Sequence, residues 1–222
     1  MTELESQIEV EGRGPVSALL LSPDGAQVFY VLGHGAGAGM RHPFMETMAG
    51  LLAQRNIATY RYQFPYMEAG RRSPDTPRIL ELTVRAAIDS AIGLAGGLPI
   101  VAGGKSMGGR ITSHVAAYDS PPELQGLVFL GYPLHAPRKP ATKRAAHLSE
   151  IRVPMLFVQG TRDHLADLDL LRPIVAGLGD RATMHVVAGG DHSFRVLKRS
   201  GRTQEEVMNE IADSIRGWAS RI

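Results

Sequence analysis

Gly104-Lys105-Ser106-Met107-Gly108 carries the strongest structural signal in the chain, the pattern G-x-S-x-G between a short apolar run and a helical pattern. A serine in this context occupies a sharp strand-to-helix turn, a nucleophile elbow, and the flanking glycines remove Cβ atoms that would collide with strand and helix. The turn exposes the hydroxyl and points a helix N-terminus at it, where negative charge is stabilised. The pentapeptide alone is a weak signal in a chain with 25 glycines, but its context predicts Ser106 as a nucleophile.

On both sides of this turn, short apolar runs alternate with longer helical patterns. Such alternation is typical of βα units around a mostly parallel sheet, so we expect a three-layer α/β fold with helices on both faces. The turn Ser22–Gly25 predicts a hairpin between the first two strands. Without repeats or a low-complexity linker, residues 1–222 are interpreted as one domain, with residues 131–150 as a loop or small cap.

The pattern places each element along the chain as follows. We expect strands at Val16–Leu21, Gln27–Leu32, Ile57–Tyr60, Pro99–Ala102, Leu127–Leu130, Met155–Gln159 and Thr183–Val187. We expect helices at Pro43–Gln54, Arg78–Leu94, Ser106–Tyr118, Asp167–Leu178 and Thr203–Ile222, the last opened by a capping box of Thr203 and Glu206.

The composition of the 222-residue chain is that of an ordinary globular protein, with 44% hydrophobic and 21% charged residues. A net charge of +2 without a block of like charges gives no support for nucleic-acid or membrane-surface binding. The absence of cysteine excludes disulfides and thiolate chemistry. The acidic N-terminus and the lack of an 18-residue apolar run argue against a signal peptide and a membrane span, so a cytoplasmic protein is expected.

The glycine-rich stretch Gly33–Gly39 follows an apolar strand ahead of the serine. Acyl transfer needs two preorganised N–H groups aimed at the developing oxyanion. The amide of Met107, next to the nucleophile, is expected to supply one, and the amide of Ala36 the other, with Gly35 and Gly37 as alternatives. We expect His34 to brace this loop through hydrogen bonds.

An acid and a base are expected after later strands, in the order Ser, Asp, His. Asp163 follows Met155–Gln159, whereas its rivals Asp167 and Asp169 lie where a helix begins and are interpreted as capping or solvated residues. His192 follows the last strand and is the predicted base. The alternative base is His164, beside the acid. His185 is expected to pair locally within its strand, and the remaining histidines show no metal-ligand spacing, so neither a metal nor another cofactor is predicted.

Two nucleotide-binding patterns overlap these motifs. Gly104-Lys105-Ser106 ends like a phosphate-binding loop, but its first glycine would fall at Pro99, inside a predicted strand. Gly33–Ala38 fits a loose dinucleotide pattern, but Ala53–Tyr60 lacks the acidic residue expected for ribose, which leaves only a weak variant that uses Arg61. Both patterns are disfavoured relative to a hydrolytic site.

With these motifs in place, the sequence resembles the small single-domain α/β-hydrolase proteins related to dienelactone hydrolases. The matching segments are Gly33–Gly39, Gly104–Gly109, Gly131–Leu134, Pro154–Asp163 and Gly190–Phe194, which span nearly the whole chain. The resemblance implies Ser106, Asp163 and His192 as a catalytic triad. Dienelactone hydrolase itself uses a cysteine, so the serine here argues against that particular substrate.

The expected activity is hydrolysis of esters or thioesters of a small-molecule acyl substrate through an acyl-enzyme. The alternative is a non-catalytic interaction protein that retains the fold, since some animal relatives of this group resemble subunits of larger complexes. Basic residues in two loops suggest the hypothesis of an anionic substrate, beside the plainer interpretation of a solvated surface (Arg71, Arg72, Arg138, Lys139, Lys143 and Arg144). Oligomeric state, acyl group and pathway are not encoded in any of these motifs.

Overall fold

The computed structural model describes residues 2–222 and contains one eight-stranded sheet with helices on both faces. The strands are β1 (Glu3–Val10), β2 (Gly14–Leu21), β3 (Val28–Gly33), β4 (Ile57–Tyr62), β5 (Ile100–Lys105), β6 (Leu124–Leu130), β7 (Met155–Gly160) and β8 (Ala182–Val187). The helices are α1 (Pro43–Ala53), α2 (Pro65–Glu68), α3 (Pro77–Leu94), α4 (Met107–Tyr118), α5 (Leu168–Gly177) and α6 (Gln204–Ala219). The predicted fold class is confirmed.

The strand order across the sheet is β1-β2-β4-β3-β5-β6-β7-β8. The β1–β2 and β2–β4 pairs are antiparallel and all other pairs are parallel. The predicted hairpin between β2 and β3 is therefore wrong, because β4 lies between these two strands. The turn residues at 22–25 reverse the chain, but they do not determine which strand becomes the neighbour.

The strand β1 has no counterpart in the expected pattern. Its sequence, ELESQIEV, is mostly polar and charged, and only Ile8 and Val10 are buried. An edge strand packs on one side only and tolerates charged residues that limit association with other chains. Its pairing with β2 runs from Glu3 opposite Leu21 to Val10 opposite Gly14.

Two apolar cores lie on opposite faces of the sheet. The larger core joins α3, α4 and α5 to one set of strand side chains. The smaller core joins α1 and α6 to the alternate set. The interior strands β3, β4, β5 and β7 are buried along their whole length, and β6 is buried except at Gln125, which is typical of strands covered on both faces. The predicted capping box of Thr203 and Glu206 is confirmed at the start of α6.

Residues 131–150, interpreted as a loop or small cap, form a 3-10 helix at Lys143–Glu150 that packs beside α4. His147 in this segment lies with its Nε2 atom 2.7 Å from the hydroxyl of Ser113. The segment between β4 and α3 contains the short helix α2. The active edge of such a sheet lies at the carboxyl ends of the parallel strands, where the loops after β3, β5, β7 and β8 meet.

Candidate active site

Ser106 occupies the turn between β5 and α4 with a backbone φ of 50° and ψ of −112°. A non-glycine residue in this region costs on the order of 1–3 kcal/mol and is found mainly at functional sites. The turn fits tightly beside β3: a Cβ atom on Gly104 would lie 2.1 Å from the carbonyl oxygen of Gly33, and one on Gly108 would lie 2.4 Å from it. Side chains at 104 and 108 are therefore excluded, and Ser106 remains partly exposed.

A continuous hydrogen-bond chain links three of the predicted site residues. The Nε2 atom of His192 lies 2.9 Å from Oγ of Ser106, and its Nδ1 atom lies 2.8 Å from Oδ2 of Asp163. The Asp163 side chain is 1% exposed and the His192 side chain 16%. Because Nδ1 faces a carboxylate, it carries the proton, and Nε2 is left to accept the hydrogen bond from the serine hydroxyl.

The carboxylate of Asp163 is held by more than the imidazole. Nε2 of Gln159 donates to Oδ2 at 2.5 Å, and the amide of Leu165 donates to Oδ1 at 2.8 Å. Gln159 is fully buried, and its Oε1 accepts from the amide of Tyr132 at 2.9 Å. No role in the site is predicted for this glutamine from the sequence. A polar residue at the end of an otherwise apolar strand, four residues before the acid, is the signal that marks it.

The loop that carries His192 is shaped by its neighbour Asp191. Oδ1 of Asp191 accepts from the amides of Ser193 and Arg195, both at 2.8 Å. Phe194 in the same loop has a φ of 60°, is fully buried and stacks on Phe44 with ring centroids 6.0 Å apart. Side-chain capping and an aromatic anchor therefore fix the position of the imidazole.

Some backbone amides of the loop after β3 already donate a hydrogen bond, and others do not. The amide of Gly37 donates to the hydroxyl of Tyr66 at 2.9 Å, and that of Ala38 donates to the carbonyl of Gly35 at 3.1 Å. Within residues 2–222, the amide N–H groups of Ala36 and Gly35 have no hydrogen-bond partner, and the same holds for Met107. Among the alternatives considered for the loop donor, the amide of Gly37 is therefore already hydrogen-bonded.

His34 stabilises this loop through hydrogen bonds and is fully buried. The amide of Phe64 donates to Nε2 at 3.2 Å, and the amide of Gly39 approaches Nδ1 at 3.3 Å. The shorter contact of 2.8 Å between Nδ1 and the carbonyl oxygen of Gly35, which can only accept, places the proton on Nδ1. Burial lowers the pKa of His34 to about 4, assisted by the charge of His42 and opposed by the bond to Gly35. A neutral imidazole is therefore part of the loop structure.

A cleft of about 800 Å³ opens over Ser106 between α1 and the loop that leads to α6. Its walls are partly apolar, with Phe44, Met45, Val196 and Met208 facing the space. The six basic residues weighed for an anionic substrate do not line this cleft, and neither does any residue of 131–150. The basic side chains of lysine and arginine on its wall are the exposed Arg195 and the largely buried Lys105.

The other candidates raised from the sequence lie elsewhere. Asp167 caps α5 by accepting from the amide of Asp169 at 2.9 Å, as expected for a capping residue. His185 pairs with Glu210 at 2.7 Å, and the ring of the exposed His164 lies 5.9 Å from that of His192. Ile100–Ala102 lie in β5, so they do not form a phosphate loop.

Residues 2–222 contain neither a metal-binding cluster nor a membrane-spanning helix. No group of three or more histidine and acidic side chains is arranged to hold a metal ion. No helix in this part of the chain is both long and apolar enough to cross a bilayer.

The sheet order, the serine turn and the loops at the carboxyl ends of the strands define an α/β-hydrolase fold. Residues 26–220 match the family described as "Alpha/beta hydrolase domain", and the chain belongs to this family. The resemblance seen in the sequence is thereby confirmed.

Solved structures with the same fold cover nearly the whole chain. A dienelactone hydrolase from Anabaena variabilis is 18% identical with a TM-score of 0.78, over 99% of this chain and 97% of that one. An esterase domain from Rhodothermus marinus is 14% identical with a TM-score of 0.75, over 100% and 99%. An α/β serine hydrolase without a lid, from Xanthomonas campestris, is 17% identical with a TM-score of 0.76, over 98% and 95%. At these identities the likeness concerns the fold.

Proposed function

We propose that this protein is a serine hydrolase that cleaves carboxylic esters or thioesters of small acyl substrates. Ser106 is the nucleophile, His192 the general base and Asp163 the acid that orients the imidazole. The observation that carries this proposal is the chain of hydrogen bonds from the serine hydroxyl through both imidazole nitrogens to a buried carboxylate, at 2.9 and 2.8 Å.

The reaction follows from the proton positions. His192 Nε2 takes the proton from Ser106 as Oγ bonds to the acyl carbon, and the same proton is then given to the departing alkoxide or thiolate. A water molecule next loses its proton to Nε2 and attacks the acyl-enzyme, which releases the acid and returns the proton to Oγ. The oxyanion of each tetrahedral intermediate is stabilised by the free amides of Met107 and Ala36, with Gly35 as the remaining alternative.

The cleft favours an acyl group of modest size. Its volume of about 800 Å³ lies within the range of small-molecule sites, and its apolar wall suits an aliphatic or aromatic acyl chain. Arg195 is exposed on that wall and able to attract a distal negative charge, whereas Lys105 is buried beside the serine. A series of p-nitrophenyl esters and acyl thioesters of increasing chain length measures both preferences.

A fluorophosphonate probe tests the proposal directly, because it reacts with an activated serine. We expect labelling of the native protein, its loss in Ser106→Ala, and a fall in ester turnover of several orders of magnitude in that variant. Ser193→Ala is the matched control, since this exposed serine lines the same cleft and should retain labelling. No labelling and no turnover in the native protein would favour a non-catalytic interaction protein with this fold.

A further inference from the structure

Lys105, the residue before the serine, lies inside the candidate site. It ends β5, is 9% exposed, and its Nζ atom lies 3.3 Å from Nε2 of His192. Nε2 is the same atom that faces the hydroxyl of Ser106 at 2.9 Å. The Lys105 nitrogen therefore lies within hydrogen-bond distance of the atom that has to receive the serine proton.

The surroundings of this amine are poor in compensating charge. Within residues 2–222, no carboxylate oxygen lies within 4.0 Å of Nζ. The aromatic ring of Phe194 has its centroid 5.7 Å away. Room for the amine exists because residue 131 is glycine, with a φ of 70°: a Cβ atom there would lie 3.1 Å from Nζ. The side chain is thus enclosed beside the imidazole without an ion pair.

The two hydrogen bonds at Nε2 compete with each other. A neutral imidazole with its proton on Nδ1 has one lone pair at Nε2. An ammonium group carries donors only, so Lys105 in that form directs an N–H at this lone pair. A neutral amine is a weaker donor than an ammonium and has a lone pair of its own, so it competes less strongly with the serine hydroxyl for Nε2.

We propose that Lys105 is a positioning residue that acts through His192: as an ammonium it occupies the Nε2 lone pair and leaves Ser106 unactivated, and as an amine it releases that lone pair to the serine hydroxyl. After the proton has moved from Oγ to Nε2, the amine accepts a hydrogen bond from the new Nε2–H and stabilises the imidazolium. The inference rests on the proposed function, because it concerns the same serine and histidine.

The charge state of the amine changes within an accessible pH range. Burial lowers the pKa of Lys105 from its usual 10.5 to about 8, opposed by the negative charges of Asp163 and Asp191. The charged and titratable groups that face it are Asp163 after β7 and Asp191 and His192 after β8, while the loops after β3 and β6 present the glycines 35 and 131. The ammonium therefore dominates below pH 8 and the amine above it.

The test is the pH profile of kcat/KM for a p-nitrophenyl ester between pH 5.5 and 9.5, with the Ser106→Ala rate subtracted. In the native protein we expect activity to rise through about pH 8. Lys105→Met retains the volume and removes the ammonium, so its activity should begin to rise at least about one pH unit lower. At pH 6.5 only about 3% of an amine with a pKa of 8 is neutral, so the gain there reaches up to about 30-fold.

A second substitution separates charge from packing. Lys105→Arg keeps the positive charge throughout this range and should show low activity without a rise. Lys198→Met, at an exposed lysine in the 3-10 helix Lys198–Ser200, is the control and should keep the native profile. A Lys105→Met profile with native shape and a uniformly lower rate would mean a purely structural role and would overturn the inference.

A measurement without turnover distinguishes this inference from the proposed function. In Ser106→Ala carrying ¹³Cε-labelled lysine, the Lys105 resonance, assigned by its absence in the double variant with Lys105→Met, should titrate near pH 8. A resonance that titrates near pH 10 overturns the inference whether or not the protein cleaves an ester. Titration near pH 8 together with absent labelling and turnover in the native protein supports the buried amine and counts against the proposed function alone.

Discussion

Replacing His34 by glutamine should make the protein less sensitive to acid. His34 is buried and neutral, with its Nδ1 proton donated to Gly35 and its Nε2 accepting from Phe64. Protonation would place a second N–H opposite the Phe64 amide, and the charged ring would lie in an apolar environment. A glutamine retains an acceptor for that amide and does not titrate.

The expected size of the effect follows from the pKa of His34, which burial lowers from 6.5 to about 4. The unfolded chain then binds more protons than the folded chain between these values, so the free energy of unfolding falls as the pH falls from 6.5 to 4. A shift of this size corresponds to about 3 kcal/mol below pH 4, of which about 2 kcal/mol is lost between pH 7 and pH 5. Burial also lowers the pKa of His147 to about 4, which adds a second loss of the same sign.

Urea unfolding followed by circular dichroism at pH 7 and pH 5 measures this difference. We expect the native protein to lose about 2 kcal/mol more than His34→Gln between the two conditions, whatever the stability of the variant at pH 7. The control His164→Gln alters an exposed histidine and should follow the native protein. Losses that agree within about 0.5 kcal/mol in the native protein and in His34→Gln would refute the reasoning, since the error of extrapolation is of that order.

Two further substitutions examine the framework of the site. Gln159→Met removes a hydrogen bond to the Asp163 carboxylate worth about 1.5–3 kcal/mol. In steady-state kinetics, kcat should therefore fall about 10- to 100-fold with little change in KM. An unchanged kcat would show that the acid needs no such support. Gly108→Ala places a Cβ atom 2.4 Å from the carbonyl oxygen of Gly33 and should cost about 1–3 kcal/mol in thermal unfolding. Gly50→Ala, whose Cβ meets nothing within 4 Å, should instead be neutral or stabilising, and equal melting temperatures for the two variants would contradict this account.

Apolar patterning predicts most of this fold because the interior strands are buried on both faces. Every residue of β3, β4, β5 and β7 is buried, which produces the mostly apolar runs seen in the sequence. The pattern fails for β1, where one exposed face permits glutamates. It also fails for the neighbour of β2, since pairing depends on where β4 lies after the chain has crossed the sheet.

The residues of the site, like the strands, could be predicted only in part from the sequence. Serine, aspartate and histidine were placed from the sequence because each lies within a few residues of the end of a strand, and these ends meet at one edge of the sheet. Lys105 was not assigned a role in the site because its partner His192 lies in the loop after β8, 87 residues away. Gln159 was not assigned a role either, although its position four residues before Asp163 at the end of β7 is a usable signal. Both residues have polar side chains in the last positions of a buried strand, Gln159 in β7 and Lys105 in β5.

Such residues are informative because burial of a polar group is unfavourable unless a partner compensates it. Gln159 is compensated on both ends of its amide, and His34 on both ring nitrogens. Lys105 has no carboxylate partner and meets instead the nitrogen that the serine also needs. A buried cation without a carboxylate in direct contact lowers stability without improving packing. A role in the chemistry of His192 gives the simplest physical reason for a lysine there, and the methionine variant decides it.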